Sequence, residues 1–291
     1  NLNWIQNMTT DIIIPFYNRA DMLAVCLRKT LASVEDATVL VVDDSVDPEQ
    51  RRMCEEFCRM LGCALLVNKA NLGFIGATRR GAAALTGEFI LFLNSDTEPM
   101  AWGWLAEMAA AMADPTVAVV GAKLVFANGT IQHAGVARID EGWPFHPFMH
   151  LPGDMPAANE YRDNINAVTG GCMLVRRAVW QELGGWDPKF GRGVFEDVDF
   201  CWRARAAGYK VVYQPKACLI HHQSQSLEPD GTHSLHGNSG ANGVYLRDKW
   251  KGIQGDEHLF GLPKHYPQQA PTKPNEIQLD VRLIPIAEVA N

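Results

Sequence analysis

The sequence predicts an α/β protein with a mostly parallel central sheet flanked by helices, and a smaller subregion in its second half. Three observations carry this. Short, wholly apolar runs alternate with helix-length amphipathic segments up to about residue 98. Strands apolar on both sides need cover on both faces, which is the signature of a parallel sheet. Polar residues gather directly after three of those runs, where such sheets place their ligands. Beyond residue 100 the alternation gives way to a hairpin signal and a long irregular loop.

Taken in order, Ile12–Ile14 is a compact strand ended by Pro15, and residues 20–33 set Leu23, Leu27, Thr30 and Leu31 at helical spacing. Val39–Val42 is the second strand and runs into Asp43 and Asp44. Asp47-Pro48 opens a helix with an acidic cap and proline at its first position. Cys63–Val67 is a third strand, residues 75–85 an Ala-rich helix, and Glu88–Leu93 a fourth strand. A helix over 100–113 follows, then strands Val117–Phe126 and Thr130–Ile139 around the Asn128-Gly129 turn. Residues 140–166, rich in Pro, Gly, Asn and aromatics, read as a long loop of the kind that is usually functional. Ala167–Val175 reads as a strand, 176–183 as a short helix, 196–207 as a helix ended by Gly208. Val211–Tyr213 and Ala217–His221 are strand-like, a last helix covers about 234–250, and 262–291 reads as a tail or wrapping arm.

Composition narrows the function classes. With 47% apolar and 20% charged residues the 291-residue chain has globular composition. Twenty-six Lys and Arg against 33 Asp and Glu give a net charge of −7, without the basic stripe of a nucleic-acid binder. No apolar stretch approaches the ~20 residues of a membrane span. A cytoplasmic location is expected, with any membrane association peripheral and through a larger parent chain. The chain begins at Asn1, which is what an excised piece of something longer would show. Seven cysteines at irregular spacing point to free thiols, and Cys54, Cys58 and Cys63 match no zinc pattern. Pro147 between His146 and His150 argues against a helical metal pair there.

The residues after the strands are Pro15-Phe16-Tyr17-Asn18-Arg19, Asp43-Asp44-Ser45 and Asn94-Ser95-Asp96-Thr97. Each acidic residue alone reads as a turn or helix cap. Three such loops at one sheet rim point instead to a site, because gathered carboxylates repel unless a cation or a ligand's N–H groups receive them.

The ordered series IIIPFYNR, VLVVDDS, NLGFIGATRRG, FILFLNSDTEP, TGGCMLVRR, LGGWDPKFGRGVFEDVDFCWRARAAGY and HHQSQS resembles inverting glycosyltransferase family 2, with its GT-A (Rossmann-like) fold, from about residue 10 to 250. GTIQHAGV, Gly129–Val136, is similar to members that build bacterial surface polysaccharides, including rhamnosyltransferase-like ones. The resemblance implies an N-terminal extension over 1–9, a domain over 10–250 and a tail over 251–291. The domain divides into a nucleotide-sugar half, 10–98, and an acceptor half, 99–250.

By that resemblance Pro15 and Tyr17 line the donor's base, with Asn18 and Arg19 in the same loop, and Asp43 accepts from a pyrimidine N3–H, which favours UDP or dTDP over GDP. Asp44 orients the ribose or caps the turn. Gly73 and Phe74 belong to the loop beneath the donor, where glycine allows close backbone approach. Arg79 stands where the family often has Asn; it or Arg80 meets a diphosphate or faces solvent. The family's Asp-x-Asp metal motif reads Asn94-Ser95-Asp96 here, making Asp96 the acidic ligand of Mg²⁺ or Mn²⁺. His221, with His222 as fallback, is the implied second protein ligand. Asp197 is the implied general base, its carboxylate favoured by the helix N-terminus. Glu196 and Asp199 serve structure or the acceptor. Trp143, Phe145, Phe148 and Trp186 are either acceptor-stacking or packing residues.

The implied reaction moves a sugar with inversion from a nucleoside-diphosphate donor to a hydroxyl of a glycan or lipid-linked glycan acceptor, without nucleic acid. A sugar nucleotidyltransferase is disfavoured, because the loop after the first strand, PFYNRADM, has no glycine. A catalytically silent nucleotide-sugar or glycan-binding module stays open on account of Asn94.

Overall fold

The structure, a computed structural model, describes residues 9–138, 143–222 and 239–261. The sheet's first half is β1 (Thr10–Phe16), β2 (Ala37–Asp43), β3 (Ala64–Val67) and β4 (Phe89–Leu93), linked by helices α1 (Ala20–Ser33), α2 (Pro48–Leu61) and α3 (Gly73–Ala84). These four strands pair in parallel in the order β3-β2-β1-β4. Alternation decides which side each residue serves. Ile13, Ile90 and Phe92 pack into one core, and Ile12, Ile14, Phe89, Leu91 and Leu93 into the core on the opposite face. Helix α2 starts as expected: Asp47 accepts from the amides of Glu49 and Gln50, Pro48 follows, and Gly62 closes the helix at φ 72°.

The second half adds β5 (Thr97–Pro99), α4 (Trp104–Ala111), β6 (Val117–Val125), β7 (Ile131–His133), β8 (Ala137–Arg138), β9 (Pro144–Phe145), β10 (Cys172–Arg176), α5 (Arg177–Glu182), α6 (Glu196–Ala206), β11 (Lys210–His221) and α7 (Ser239–Lys249). The sheet continues β4-β10-β6-β11-β5, with β7 on β6, and here it is mixed: β10 is antiparallel to both β4 and β6, β11 parallel to β6, and β5 antiparallel to β11.

Three expected elements differ. The strand expected over 130–139 breaks at Gly135, whose φ of 97° turns the chain so that Val136 bridges Ala167. The strand expected from Ala167 begins only at Cys172, which leaves Thr169–Gly171 as a loop. The two short strands expected at 211–221 are one, β11, interrupted between Gln214 and Cys218 where three residues including Pro215 find no register partner. The segment 234–238 of the expected last helix, and most of the expected extension and tail, lie outside the described residues.

One link positions the site. Strands β4 and β5 are separated by only Asn94, Ser95 and Asp96, yet three strands lie between them in the sheet order. Four strand steps of about 4.8 Å make ~19 Å across a flat sheet, whereas four residue steps reach at most ~14 Å. The sheet therefore curls, and residues 94–96 cross its open rim.

Candidate active site

The carboxyl ends of β1, β2, β4, β6 and β11 share one rim, and the loop entering the antiparallel β10 joins them there. Asn94 N–H donates to the Gly171 carbonyl (3.0 Å), extending the β4–β10 ladder by one bond. His221, the last residue of β11, brings Nε2 to 3.2 Å from Asp96 Oδ1 and 3.1 Å from Asn94 Nδ2. His221 Nδ1 lies 2.5 Å from Gln132 Oε1. Which partner donates in these contacts depends on which ring nitrogen carries the hydrogen. His222, the fallback, points elsewhere: its Nε2 meets Glu98 Oε1 at 2.6 Å, and Glu98 also holds Lys29.

Asp197 sits in the first turn of α6, with Oδ2 accepting from Gly170 N–H and Oδ1 from Val198 N–H, each at 2.8 Å. The Thr169 hydroxyl also bonds it. A Cβ added at Gly170 would lie 3.5 Å from the Asp197 side chain, and one at Gly171 would lie 3.4 Å from the His221 ring. Two consecutive residues thus lie beside His221, the partner of Asp96, on one side and Asp197 on the other. Asp96, His221 and Asp197, 101 residues apart from first to second of the carboxylates, meet at the Thr169–Gly171 loop. The helix N-terminus was expected to favour the Asp197 carboxylate; burial outweighs it and raises the pKa. Glu196, buried beside it, is pushed up to about 8 by burial and then by the charge of Asp197.

The backbone leading to Asp197 is strained. Val194 and Phe195 have φ of 77° and 72°, a region that costs a β-branched residue most. Asn242 of α7 holds this turn through its Nδ2, which lies 2.9, 2.6 and 3.1 Å from the carbonyls of Phe190, Gly193 and Val194.

Several expected residues find other partners, and for Asp44, Trp186 and Phe148 this is the second of the two uses the sequence left open. Asp43 is wholly buried, with its oxygens accepting from Ser45 N–H (2.8 Å) and Arg51 Nε (3.0 Å), so it braces its own loop and offers no open face to a base. Asp44 accepts from Asn68 Nδ2, Leu72 N–H and Gly73 N–H at 2.7–2.8 Å, and so shapes the 68–73 loop rather than a ribose. Arg79 donates to the Gly184 and Trp186 carbonyls (2.8 and 2.7 Å), and Arg80 to Val67 O, so neither is turned to a diphosphate. Trp186, 0% exposed, packs 4.8 Å from the rings of Phe92 and Trp180 and donates to Thr78 Oγ1: it is core, not an acceptor platform. Phe148 is likewise core, against Phe260.

Other expected residues stay at the rim. Pro15, Tyr17 and Asn18 are half-buried at the end of β1. Arg19, paired to Asp21 at 2.7 Å, lies within electrostatic reach of Asp96. Ser95 lies in the crossing link, half-buried. Gly73 has φ 70° and lies against Arg192, and Phe74 N–H donates to Arg192 O (2.9 Å) while its ring approaches Gly170, joining the two halves. Trp143 is exposed, with its ring 6.3 Å from Phe195 and seated on Gly243, where any side chain would collide with it. Phe145 is half-buried.

Sequence reasoning assigned no role to Gln132, Thr169, Gly170, Gly171, Arg192 or Asn242. The first five lie inside quoted motifs, GTIQHAGV, TGGCMLVRR and the GRG of FGRGVFED, so a signal was present without a chemical reading. Asn242 gave none.

The family model described as Glycosyl transferase family 2 matches residues 11–184. The chain is 34% identical over 227 residues to the O-antigen biosynthesis protein RfbC of Myxococcus xanthus, covering 75% of this chain and 18% of that protein. It is 30% identical over 234 residues to the pre-mycofactocin glycosyltransferase of Mycobacterium tuberculosis, covering 79% and 46%. It therefore spans less than half the length of either relative. Among solved structures it is similar to GalNAc-T7 with UDP, GalNAc and Mn²⁺ (TM-score 0.62, 19% identity, 74% of this chain and 43% of that one). A mannosyltransferase from Pyrobaculum calidifontis with GDP-Man and Mn²⁺ gives TM-score 0.58 at 16% identity, over 84% and 65%. These two carry the fold, that of the GT-A glycosyltransferases.

Proposed function

Because the chain belongs to glycosyl transferase family 2, we propose that it transfers a sugar, with inversion, from a nucleoside-diphosphate donor to a hydroxyl of a glycan or lipid-linked glycan in bacterial surface-polysaccharide synthesis. One observation carries the reading: the Asp96–His221 pair and Asp197 share the Thr169–Gly171 loop at the strand ends. The two clusters are the parts an in-line displacement needs, one facing the leaving group and one facing the nucleophile.

Asp96 Oδ1 and His221 Nε2 suit a divalent cation: two lone-pair donors 3.2 Å apart, one of them anionic, with the ring proton directed away. Among the described residues no third His, Cys, Asp or Glu joins them, so the remaining ligands would be donor phosphate and water oxygens. Bound there, Mg²⁺ or Mn²⁺ supplies positive charge to the departing nucleoside diphosphate. Asn94 contributes its amide to the same corner without adding charge.

Asp197 accepts the acceptor hydroxyl's proton as that oxygen attacks the anomeric carbon. Two backbone N–H groups and Thr169 orient it, and its raised pKa makes it a stronger base than an exposed aspartate. Tyr17 and Pro15 offer the base its flat wall. The preference for UDP or dTDP over GDP loses its basis at the buried Asp43. Trp143 and Phe195, beside the Asp197 turn, form the surface on which an acceptor sugar stacks, with Glu196 near it.

The test is release of nucleoside diphosphate from UDP-, dTDP- and GDP-sugars, with Mn²⁺ and with chelator. Turnover of at least one donor that chelator abolishes is expected. Nucleotide binding without hydrolysis or transfer from any donor identifies a silent binding module instead.

A further inference from the structure

Gln132 makes two hydrogen-bonding contacts with His221. Its Oε1 faces His221 Nδ1 at 2.5 Å, and its Nε2 donates to the His221 backbone carbonyl at 3.1 Å. Both contacts are buried, on a side chain that is 5% exposed. The geometry follows from the sheet: β7 and β11 flank β6, with Ile131 opposite Val125 on one side and Ile220 opposite Val125 on the other. Gln132 thus reaches past the end of β6 to the last residue of β11.

The carbonyl decides which way the amide turns. Rotated by 180°, the amide would set Oε1 against the His221 carbonyl oxygen, two acceptors at 3.1 Å, and turn its NH₂ toward Nδ1. In the observed orientation Oε1 can only accept, so Nδ1 must carry the hydrogen. In the neutral ring Nε2 is then left as a lone pair on the side of Asn94 and Asp96. A fixed backbone oxygen is in this way relayed through one amide into the tautomer of one imidazole.

We infer that Gln132 is a positioning residue that locks His221 in its Nδ1–H form and so presents Nε2, beside Asp96, to a divalent cation. Without it the ring has a competing arrangement at hand. With hydrogen on Nε2, the imidazole donates to Asp96 across the same 3.2 Å, which consumes both groups in a hydrogen bond and closes them to a metal. Removing such an outer partner of a metal-binding histidine typically costs 10–100-fold in metal affinity. The inference rests on the cation reading above, and the experiment separates the two.

The full chain is labelled with ¹⁵N-histidine, stripped with chelator and read by long-range ¹H–¹⁵N spectra in mildly alkaline buffer, with His221→Asn used to assign the signal. Mn²⁺ affinity in the presence of UDP is measured by calorimetry on the same samples. The wild type is expected to show the Nδ1–H form. Gln132→Met, of similar volume but with no acceptor oxygen, is expected to move His221 to the Nε2–H form and weaken Mn²⁺ by 10–100-fold. The wild-type spectrum supplies a reading of its own even if the Met variant folds poorly. A wild-type Nε2–H signal, or an unchanged tautomer and Mn²⁺ affinity in Gln132→Met, overturns the role of Gln132. Wild-type protein that takes up no Mn²⁺ with UDP, while Gln132→Met still switches the tautomer, overturns the cation reading and leaves the hold of Gln132 on the ring standing.

Discussion

Replacing Asp197 with asparagine tests the chemistry with little change of shape. The carboxylate accepts from Gly170 N–H on one oxygen and Val198 N–H on the other, each at 2.8 Å. An amide can satisfy one of them and turns its NH₂ on the other, so one buried N–H loses its partner. That costs about 1–3 kcal/mol, partly offset because a buried charge is also removed. A small drop in melting temperature is therefore expected. Catalysis should suffer more: a positioned general base contributes ~10²–10⁴-fold, or about 2.7–5.4 kcal/mol of barrier. Three readouts separate the effects: kcat from released nucleoside diphosphate, UDP affinity by calorimetry, and thermal unfolding. The expected pattern is kcat down by at least 10²-fold, UDP affinity within a few-fold and a modest loss of stability. Transfer within 10-fold of wild type would refute Asp197 as base, and a parallel collapse of UDP affinity would make it a structural group.

Asp44→Ala removes an acceptor that serves three donors; at ~1–3 kcal/mol for each unsatisfied group, equilibrium denaturation should show a loss of roughly 3–5 kcal/mol, and a loss under 1 kcal/mol would contradict the bracing role. Gly73→Ala meets both a φ of 70° and a Cβ 2.8 Å from the Arg192 Cα, so denaturation midpoint and UDP affinity should both fall; an unaffected UDP affinity would detach this loop from the donor. For pH, the raised Asp197 places the acid limb of kcat above the ordinary carboxylate range, since the base must be ionised, and a limb at or below 3.8 would contradict it. Glu196, lifted to about 8 from its ordinary 4.5, keeps in the folded chain a proton that the unfolded chain has released. Its contribution to stability is complete below 4.5 and is lost as pH climbs toward and through 8, at up to about 1.4 kcal/mol per unit. Glu196→Gln should flatten the fall of melting temperature across that window, and an identical slope in both proteins would place the group elsewhere.

The first half of the fold was legible because its signals are local. The apolar runs at β1, β2 and β4 and the Asp47-Pro48 start of α2 sit where the residues alone place them. Beyond β4 the structure depends on partners distant in sequence. Gly135 reads as an ordinary residue of a strand until its φ of 97° is known, and Pro215 reads as a strand end although its strand continues past it. The site divides similarly. Asp96, His221 and Asp197 stand out through the motifs that carry the resemblance, since each acidic residue taken alone reads as a cap. Gln132 and Thr169 act only through what they touch, and nothing in a lone Gln or Thr announces the histidine or aspartate it will meet. Trp186 and Asp43 fail in the opposite sense. Each is a residue type fit for a ligand, and only burial among Phe92, Trp180 and Thr78, or beside Arg51 and Ser45, reveals the other use.

The crossing at residues 94–96 behaves as a drawstring. Surface loops generally accept extra residues at little cost, but every residue added here would pay out slack to the barrel-like bend, and Asp96 would drift from His221 before any side chain had changed. Length is thus guarded in this segment together with the Asp96 carboxylate, whereas an amide can stand at position 94 without undoing the corner it helps to close.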